Sequence, residues 1–406
     1  MDCECFTKNW HREMKVLFIT ARFPYPPRYG DQVRGFHHLR LLSRRHQIVL
    51  LSPSPDLRQG DNALKAVEPF CEQTCLLPVP AWRRFLHLVK VPFTAIPLQT
   101  LYLYDDCFRA KAQELLRSQS FDLIHVQTVR MAPVIDGLSP RVPTVLDLID
   151  AISVNMAQRA RRRLSPQMLG AGWESRRLCA YERALVRRYD RLVISSPSDR
   201  MTIGDFPNLH VVPNGVDLEA CPFFTGERDP ATIVFTGTMW YFPNVDAVVW
   251  FVEKVFPLVR RQIPEVRFYI VGARPTPAVR RLARVPGVIV TGFVDNVQEH
   301  LSRASVAIAP MQSGSGMQFK VIEAMANGAP VVATPFALGG LEAVDKKHLL
   351  ISRDAEGFAD NIARLMHSPD LRHGLSHNAR RLVEEKYGWE QTVKTLESIY
   401  QLALNN

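Results

Sequence analysis

A glycine-rich turn, a cation and a carboxylate fall within ten residues at the start of GSGMQFKVIEAMANGAPVVAT, Gly314 to Thr334. Gly314 and Gly316 allow a sharp reversal and a close approach of backbone to ligand. Ser315 lies between them. A helix is expected to open near Met317, so that unpaired N–H groups and the positive end of the helix dipole face the turn. Lys320 stands in the first helical turn and Glu323 one turn further on. Amides and an ammonium suit a diphosphate, and a carboxylate suits a pair of sugar or ribose hydroxyls; together they suit a nucleotide-sugar. A glycine turn before an Ala- and Met-rich helix is also ordinary packing in α/β proteins. The strand Ser305–Pro310 runs into this turn, however, and so puts it at a carboxyl strand edge, where open α/β sheets bind ligands.

That loop needs a sheet to carry it, and the chain supplies two. Short β-branched runs without polar alternation, bounded by turn residues, read as central parallel strands. In the first half they are Val16–Thr20, Ile48–Ser52, Phe121–Val126, Pro143–Leu148, Arg191–Ser195 and Leu209–Pro213. In the second half they are Thr232–Gly237, Val266–Gly272, Gly287–Gly292, Ser305–Pro310, Pro330–Thr334 and His348–Ser352. Amphipathic helical stretches lie between them, among them Gln32–Arg45, Asp106–Ser118, Val245–Gln262 and Val297–Ala304. This alternation predicts an α/β protein of two doubly wound domains, and no short-period repeat points to a solenoid. The turn chemistry of PNGVDLEACPF, Pro213–Phe223, marks the boundary. The expected division is 14–216, 217–385 and a final segment 386–406, whose helix Glu390–Leu404 follows the break at Tyr387-Gly388-Trp389.

At 406 residues and 47% hydrophobic side chains, the chain can fill more than one core. Its first residues, MDCECFTKNWHRE, hold acids and a Trp but no apolar stretch, so no secretory signal is expected. Met1–Glu13 reads as a loose leader, or Met14 as the start. No apolar run reaches the roughly 18 residues a spanning helix needs, and Lys90, Pro92 and Pro97 interrupt the nearest candidate, Leu86–Tyr104. The 7 cysteines offer no second pair at ligand spacing after Cys71-x3-Cys75, which fits a reduced cytoplasmic protein without structural zinc. Charge is uneven: 30 Lys and Arg against 21 Asp and Glu through Asp217, then 20 against 19. The basic surplus of the first half points to an anionic surface or acceptor there. No nucleic-acid reading motif accompanies it, so nucleic acid is not an expected partner.

The motifs PNGVD, FTGTMWYFPNVDAVVWFVEKVFPLV, VGARP after a strand, VTGFVDNV and GSGMQFKVIEAMANGAPVVAT, in that order, resemble the retaining glycosyltransferases of family 4. The likeness runs from Lys15 to Leu404. FTGTMWYFPNVDAVVWF together with VLDLIDAIS (Val145–Ser153) is most similar to bacterial sugar transferases of exopolysaccharide and PEP-CTERM systems. The resemblance implies the GT-B fold: two Rossmann-like domains facing across a cleft, the last helix crossing back to the first domain. It gives Glu323 the ribose hydroxyls, a role that an ionised carboxylate fills well. It puts Phe293, Val294 and Asp295 around the base, and Gly30, in PPRYGDQVR, against the diphosphate. Gly237, in FTGTMW, would contact the donor, and His125, in FDLIHV, would sit at a strand end near the donor sugar.

Three departures bear on these roles. Ser315 stands where the family carries a first glutamate that touches the donor sugar. The usual G-R-x4-K pair after the first strand of the second domain is replaced by Thr238 and Pro243. The cation for the leaving diphosphate must then come from Lys320, Arg274 or Arg34; Lys320 is the best placed, and Arg34 and Arg274 read otherwise as surface residues. The common glycine pair of the first loop is here Gly30-Asp31.

The implied reaction moves a sugar from a UDP- or GDP-sugar to a glycan or lipid-linked acceptor in cell-surface or exopolysaccharide synthesis, retaining anomeric configuration. Amides, a helix dipole and a cation would stabilise the leaving diphosphate. No Asp-x-Asp occurs and no nucleophile has an obvious base, so no metal or cofactor is expected. Trp82–Lys90 mixes aromatic, apolar and basic residues, as interfacial segments do. Arg159, Arg161–Arg163, Arg176, Arg177, Arg183, Arg187 and Arg188 form a second basic cluster that also reads as a solvated helix face. A cytoplasmic protein resting on the inner face of an anionic membrane is the resulting expectation. Two other readings stay open: a catalytically degenerate nucleotide-sugar-binding or scaffold subunit, and a GT-B epimerase or phosphorylase.

Overall fold

The computed structural model describes residues 13–55, 60–79, 82, 94–136, 138, 142–161, 166–314 and 316–405. Seven parallel strands form the first sheet: β1 (Lys15–Ile19), β2 (Gln47–Pro53), β3 (Gln73–Leu77), β4 (Leu123–Gln127), β5 (Thr144–Ile149), β6 (Arg191–Ile194) and β7 (Leu209–Val211). Their order is β3-β2-β1-β4-β5-β6-β7. Six more form the second: β8 (Asp229–Thr236), β9 (Arg267–Val271), β10 (Val288–Gly292), β11 (Ala304–Ala309), β12 (Val331–Ala333) and β13 (Leu350–Ile351), in the order β10-β9-β8-β11-β12-β13. In each sheet the chain starts centrally, winds to one edge, then returns and winds to the other. The reversal points lie between β1 and β4 and between β8 and β11, where neighbouring connections diverge and leave a crevice at the carboxyl ends.

The central strands are contiguous apolar runs because both faces of each sheet are covered there. On the first sheet, Leu17, Ile19, Val49 and Leu51 fill one side, and Val16, Phe18, Ile48 and Leu50 the other. The last helix, Trp389–Leu404, packs Trp389, Val393, Leu396 and Tyr400 into that second side. The chain's end therefore closes the core of the first domain. The two crossings between domains run side by side: Val216 N–H donates to Tyr387 O at 2.7 Å, and Trp389 N–H donates to Val216 O at 3.3 Å.

Three local expectations change. Gln73–Leu77 is a strand that the apolar-run criterion passes over, because this edge strand buries only Cys75. The stretch Val245–Gln262 is not one uniform helix. It runs as Phe242–Trp250, a more widely wound turn Phe251–Val255, and Phe256–Gln262. Pro257 explains the break, since it lacks an N–H and its ring crowds the preceding turn. The helix of the glycine loop opens at Phe319, two residues later than expected, with Gln318 at its N-cap.

Residues 1–12, Ser315, and 83–90 of the Trp82–Lys90 segment lie outside the described residues, as do the side chains of Arg159 and Arg161–Arg163. Among the described residues no helix is long and apolar enough to cross a membrane.

Candidate functional site

β8, β9 and β11 each end in a turn that only glycine tolerates. Gly237 follows β8 at φ 154°, Gly272 follows β9 at φ 152°, and the loop after β11 holds Gly314 at φ 141° and Gly316 at φ 69°. A Cβ on Gly272 would lie 1.8 Å from Gly237 O, and one on Gly237 would lie 2.7 Å from Asn244 Nδ2. Bare backbone therefore brings the Thr238 turn and Asn244 together. The Asn244 amide donates to Thr238 O at 3.0 Å, and its Oδ1 accepts from Lys320 Nζ at 3.0 Å. Lys320 also donates to Gln318 Oε1 at 3.1 Å and lies 5.3 Å from the centre of the Phe235 ring.

Lys320 and Glu323 are half-buried on the same helix. Burial lowers the Lys320 ammonium to about 8, with Glu323 opposing. Burial likewise pushes the Glu323 carboxyl up to about 7, against the pull of Lys320. The expected cation and carboxylate thus share one environment, and both titrate close to neutrality. Asn244, which holds Lys320, was not foreseen; its only trace in the sequence is a polar residue in the first turn of a largely apolar helix.

The first domain meets this edge directly. Gly314 N–H donates to Gln158 Oε1 at 2.6 Å, and Gly316 N–H donates to Asp199 Oδ2 at 2.9 Å. The same Asp199 oxygen accepts from Ala151 N–H at 3.0 Å, and Asp150 Oδ1 accepts from Ser195 Oγ at 3.1 Å. Burial, and then the charge of Asp150, raises Asp199 above the usual carboxylate range; burial also raises Asp150. A Cβ on Gly316 would sit 1.9 Å from Asp150 Oδ1, so this glycine is required by contact as well as by its φ. Asp150, Gln158 and Asp199 were not foreseen as site residues, although Ser196-x-x-Asp199 has the spacing of a helix-capping pair.

The other candidates divide. Gly30 opens the helix Gly30–Leu42, and its Cβ position is 3.4 Å from the Phe319 ring, so the first-domain loop does reach the start of the Lys320 helix. Arg274 is exposed, as expected, and donates across to Tyr29 Oη at 3.1 Å. Tyr29 in turn packs edge-on against Trp240, their ring centres 6.2 Å apart. Phe293, Val294 and Asp295 follow the edge strand β10; Phe293 is 64% exposed and Val294 packs against the second core. Met317 is buried in that core.

Arg34 and His125 are corrections. Arg34 is not a surface residue: its side chain is fully buried, with Nε donating to Asp147 Oδ2 at 2.6 Å. Its other nitrogens donate to Pro213 O, Asn214 Oδ1 and Val212 O at 3.0 to 3.1 Å. Every one of these acceptors belongs to the core or to the Pro213–Asn214 crossing, so the guanidinium is committed away from the crevice. His125 lies in the middle of β4, not at its end. Its ring stacks on Phe18 at 4.3 Å, and its Nδ1 pairs with Tyr400 Oη at 2.8 Å. Burial, with Arg34 adding to it, holds that ring neutral, down to about 3. His38, His125 and Asp147 come close enough to suggest a metal centre. Yet both Asp147 oxygens are already engaged, by Arg34 and by Ile149 N–H at 3.0 Å, and a cation there would face a buried guanidinium.

Two family profiles match the chain, one described as Glycosyltransferase Family 4 over residues 36–220 and one as Glycosyl transferases group 1 over residues 230–368. A 44.6 kDa protein in the cps region of Klebsiella pneumoniae is 23% identical over 177 residues, 42% of this chain and 45% of that one. A D-inositol 3-phosphate glycosyltransferase of Xylanimonas cellulosilytica is 27% identical over 259 residues, 55% of this chain and 59% of that one. The chain thus matches about half the length of these curated relatives. Solved structures align over almost all of it. Sucrose-phosphate synthase from Thermosynechococcus elongatus gives a TM-score of 0.70 at 18% identity, covering 96% of this chain and 99% of that one. Anabaena HepE in complex with UDP gives 0.66 at 14% identity, covering 96% and 100%. At these identities the likeness is one of fold. With one profile on each sheet and a GT-B architecture throughout, the chain belongs to glycosyltransferase family 4.

Proposed function

We propose that this protein transfers a sugar from a nucleoside diphosphate sugar to a hydroxyl of a glycan or lipid-linked acceptor, retaining anomeric configuration and using no metal. The observation that carries this reading is the convergence of Lys320, Glu323, Asn244 and the Gly314–Met317 loop at the carboxyl edge of the second sheet, facing the first domain. HepE, crystallised with UDP, and TarM, crystallised with UDP and α-GlcNAc-glycerol, have the same fold and support a nucleotide donor and a glycosidic acceptor.

In this reading the loop amides and Lys320 take the diphosphate, and Glu323 accepts from the ribose hydroxyls. Phe293–Asp295 lies beside the base. As the acceptor oxygen bonds to the anomeric carbon, the bond from that carbon to the phosphate oxygen breaks and its electron pair stays on the phosphate. The acceptor proton passes to the departing phosphate. Once the donor is bound, the loop amides and the Lys320 ammonium beside that oxygen stabilise the growing charge, and closure of the domains keeps water from the donor.

The acceptor reading rests on the basic first half and on Trp173, which is exposed with the Arg177 guanidinium 4.3 Å from its ring centre. The Klebsiella relative of the cps region supports a place in surface-polysaccharide synthesis, and the basic surplus of the first half is the ground for contact with the inner face of an anionic membrane. Incubation with a panel of UDP- and GDP-sugars and lipid-linked acceptors, read as nucleotide release with the product anomer assigned by NMR, tests the activity. Donor-dependent release with retained configuration is expected. Tight nucleotide binding without turnover would favour a scaffold subunit, a reading that the capped amides of Gly314 and Gly316 support. Co-sedimentation with anionic vesicles at low salt tests the membrane contact, and no binding there would remove it.

A further inference from the structure

The amides of Gly314 and Gly316 are already taken, by acceptors that come from the protein itself. Asp199 is the third residue of the helix Pro197–Ile203, capped by Ser196. The Ser-x-x-Asp spacing ordinarily returns such a carboxylate to the backbone of its own cap. Here Oδ2 instead bridges Ala151 N–H of its own domain and Gly316 N–H of the other. The uncharged Gln158 Oε1 accepts Gly314 N–H across the same boundary. The surroundings are tight: the Ser196 hydroxyl donates to Gly339 O, and a Cβ on Gly340 would lie 2.4 Å from Pro197. A carboxylate oxygen accepting two N–H groups makes the contact that a phosphate oxygen makes with the same donors.

Resting on the reading of this loop as the diphosphate site, we propose that Asp199 is an internal competitor of the donor. In the ligand-free protein the first domain seals Asp199 and Gln158 onto the amides that the diphosphate takes, and donor binding must break this contact. A diphosphate oxygen cannot take the place of the Asp199 or Gln158 oxygen on its N–H while that oxygen stays, and next to Asp199 charge repulsion adds to this, so the seal and the donor are mutually exclusive. The apparent affinity for the donor is then the intrinsic affinity reduced by the fraction of molecules that are unsealed.

Calorimetric titration of the full chain with inorganic pyrophosphate, UDP and GDP tests this. Asp199→Asn should tighten all three on the order of tenfold by weakening a charged hydrogen bond, and Gln158→Ala should act in the same direction by less. Unchanged or weaker binding in both variants, with cooperative melting retained, overturns the proposal. Lys320→Ala separates it from the reading beneath. If that variant loses pyrophosphate while Asp199→Asn gains nothing, the competitor role alone fails. If pyrophosphate binding is indifferent to both residues, the diphosphate site fails and the seal with it. Should Asp199→Asn not fold, Gln158→Ala carries the test, since its side chain is half-buried and outside the core clusters.

Discussion

Replacing Arg34 by Met separates a structural cation from a catalytic one. The side chains of Arg34 and Asp147 are both fully buried, with Nε and Oδ2 2.6 Å apart. Met fills much of the same volume but strands the Asp147 carboxylate and leaves Val212 O, Pro213 O and Asn214 Oδ1 without their donor. Breaking a buried pair by removing one partner costs about 3–5 kcal/mol. Each kcal/mol lowers the melting temperature of a domain of about 150–250 residues by about 2–4 °C, so the first-domain transition should fall by roughly 6–20 °C. Calorimetric scans with and without UDP or GDP read both properties. Nucleotide affinity of the folded variant should be nearly unchanged. The double replacement Arg34→Met with Asp147→Leu should recover much of the loss, because no charge is then left buried. A variant that melts with the wild type but no longer binds nucleotide would refute this reasoning and put the guanidinium on the diphosphate.

Three further outcomes follow from the site. kcat/KM for the donor should be bell-shaped in pH, rising as Glu323 ionises near 7 and falling as Lys320 loses its proton near 8; in Glu323→Gln the acid limb should vanish. Asn244→Ala removes one of the two acceptors of Lys320 and should lower kcat/KM by about 10- to 100-fold, the range for a hydrogen bond to a charged group, while Asn244→Asp, which keeps an acceptor, should retain more activity. Gly316→Ala should force the domains apart, since its Cβ cannot coexist with Asp150 Oδ1; small-angle scattering should give a larger radius of gyration than the wild type.

Much of the fold was legible in the sequence because parallel strands covered on both faces appear as unbroken apolar runs. The glycine loop, Lys320 and Glu323 were legible for a similar reason: they are neighbours along the chain. What failed was whatever depends on distant partners. Asn244 meets Lys320 across 76 residues, and Asp199 meets Gly316 across 117. His125 could pass for a strand-end ligand only while Tyr400, 275 residues away, was unseen. Arg34 looked like a surface cation because nothing local reveals that Asp147 and the Pro213–Asn214 crossing close around it. Strand β3 was missed because an edge strand with one buried residue carries almost no apolar signal.

A crystal structure of the protein with UDP or GDP bound tests the central claim most directly. The diphosphate should lie on the amides between Gly314 and Met317 beside Lys320, with the ribose on Glu323 and Asp199 withdrawn from Gly316. A nucleotide bound elsewhere, or a loop still held by Asp199 and Gln158 beneath a bound nucleotide, would contradict it.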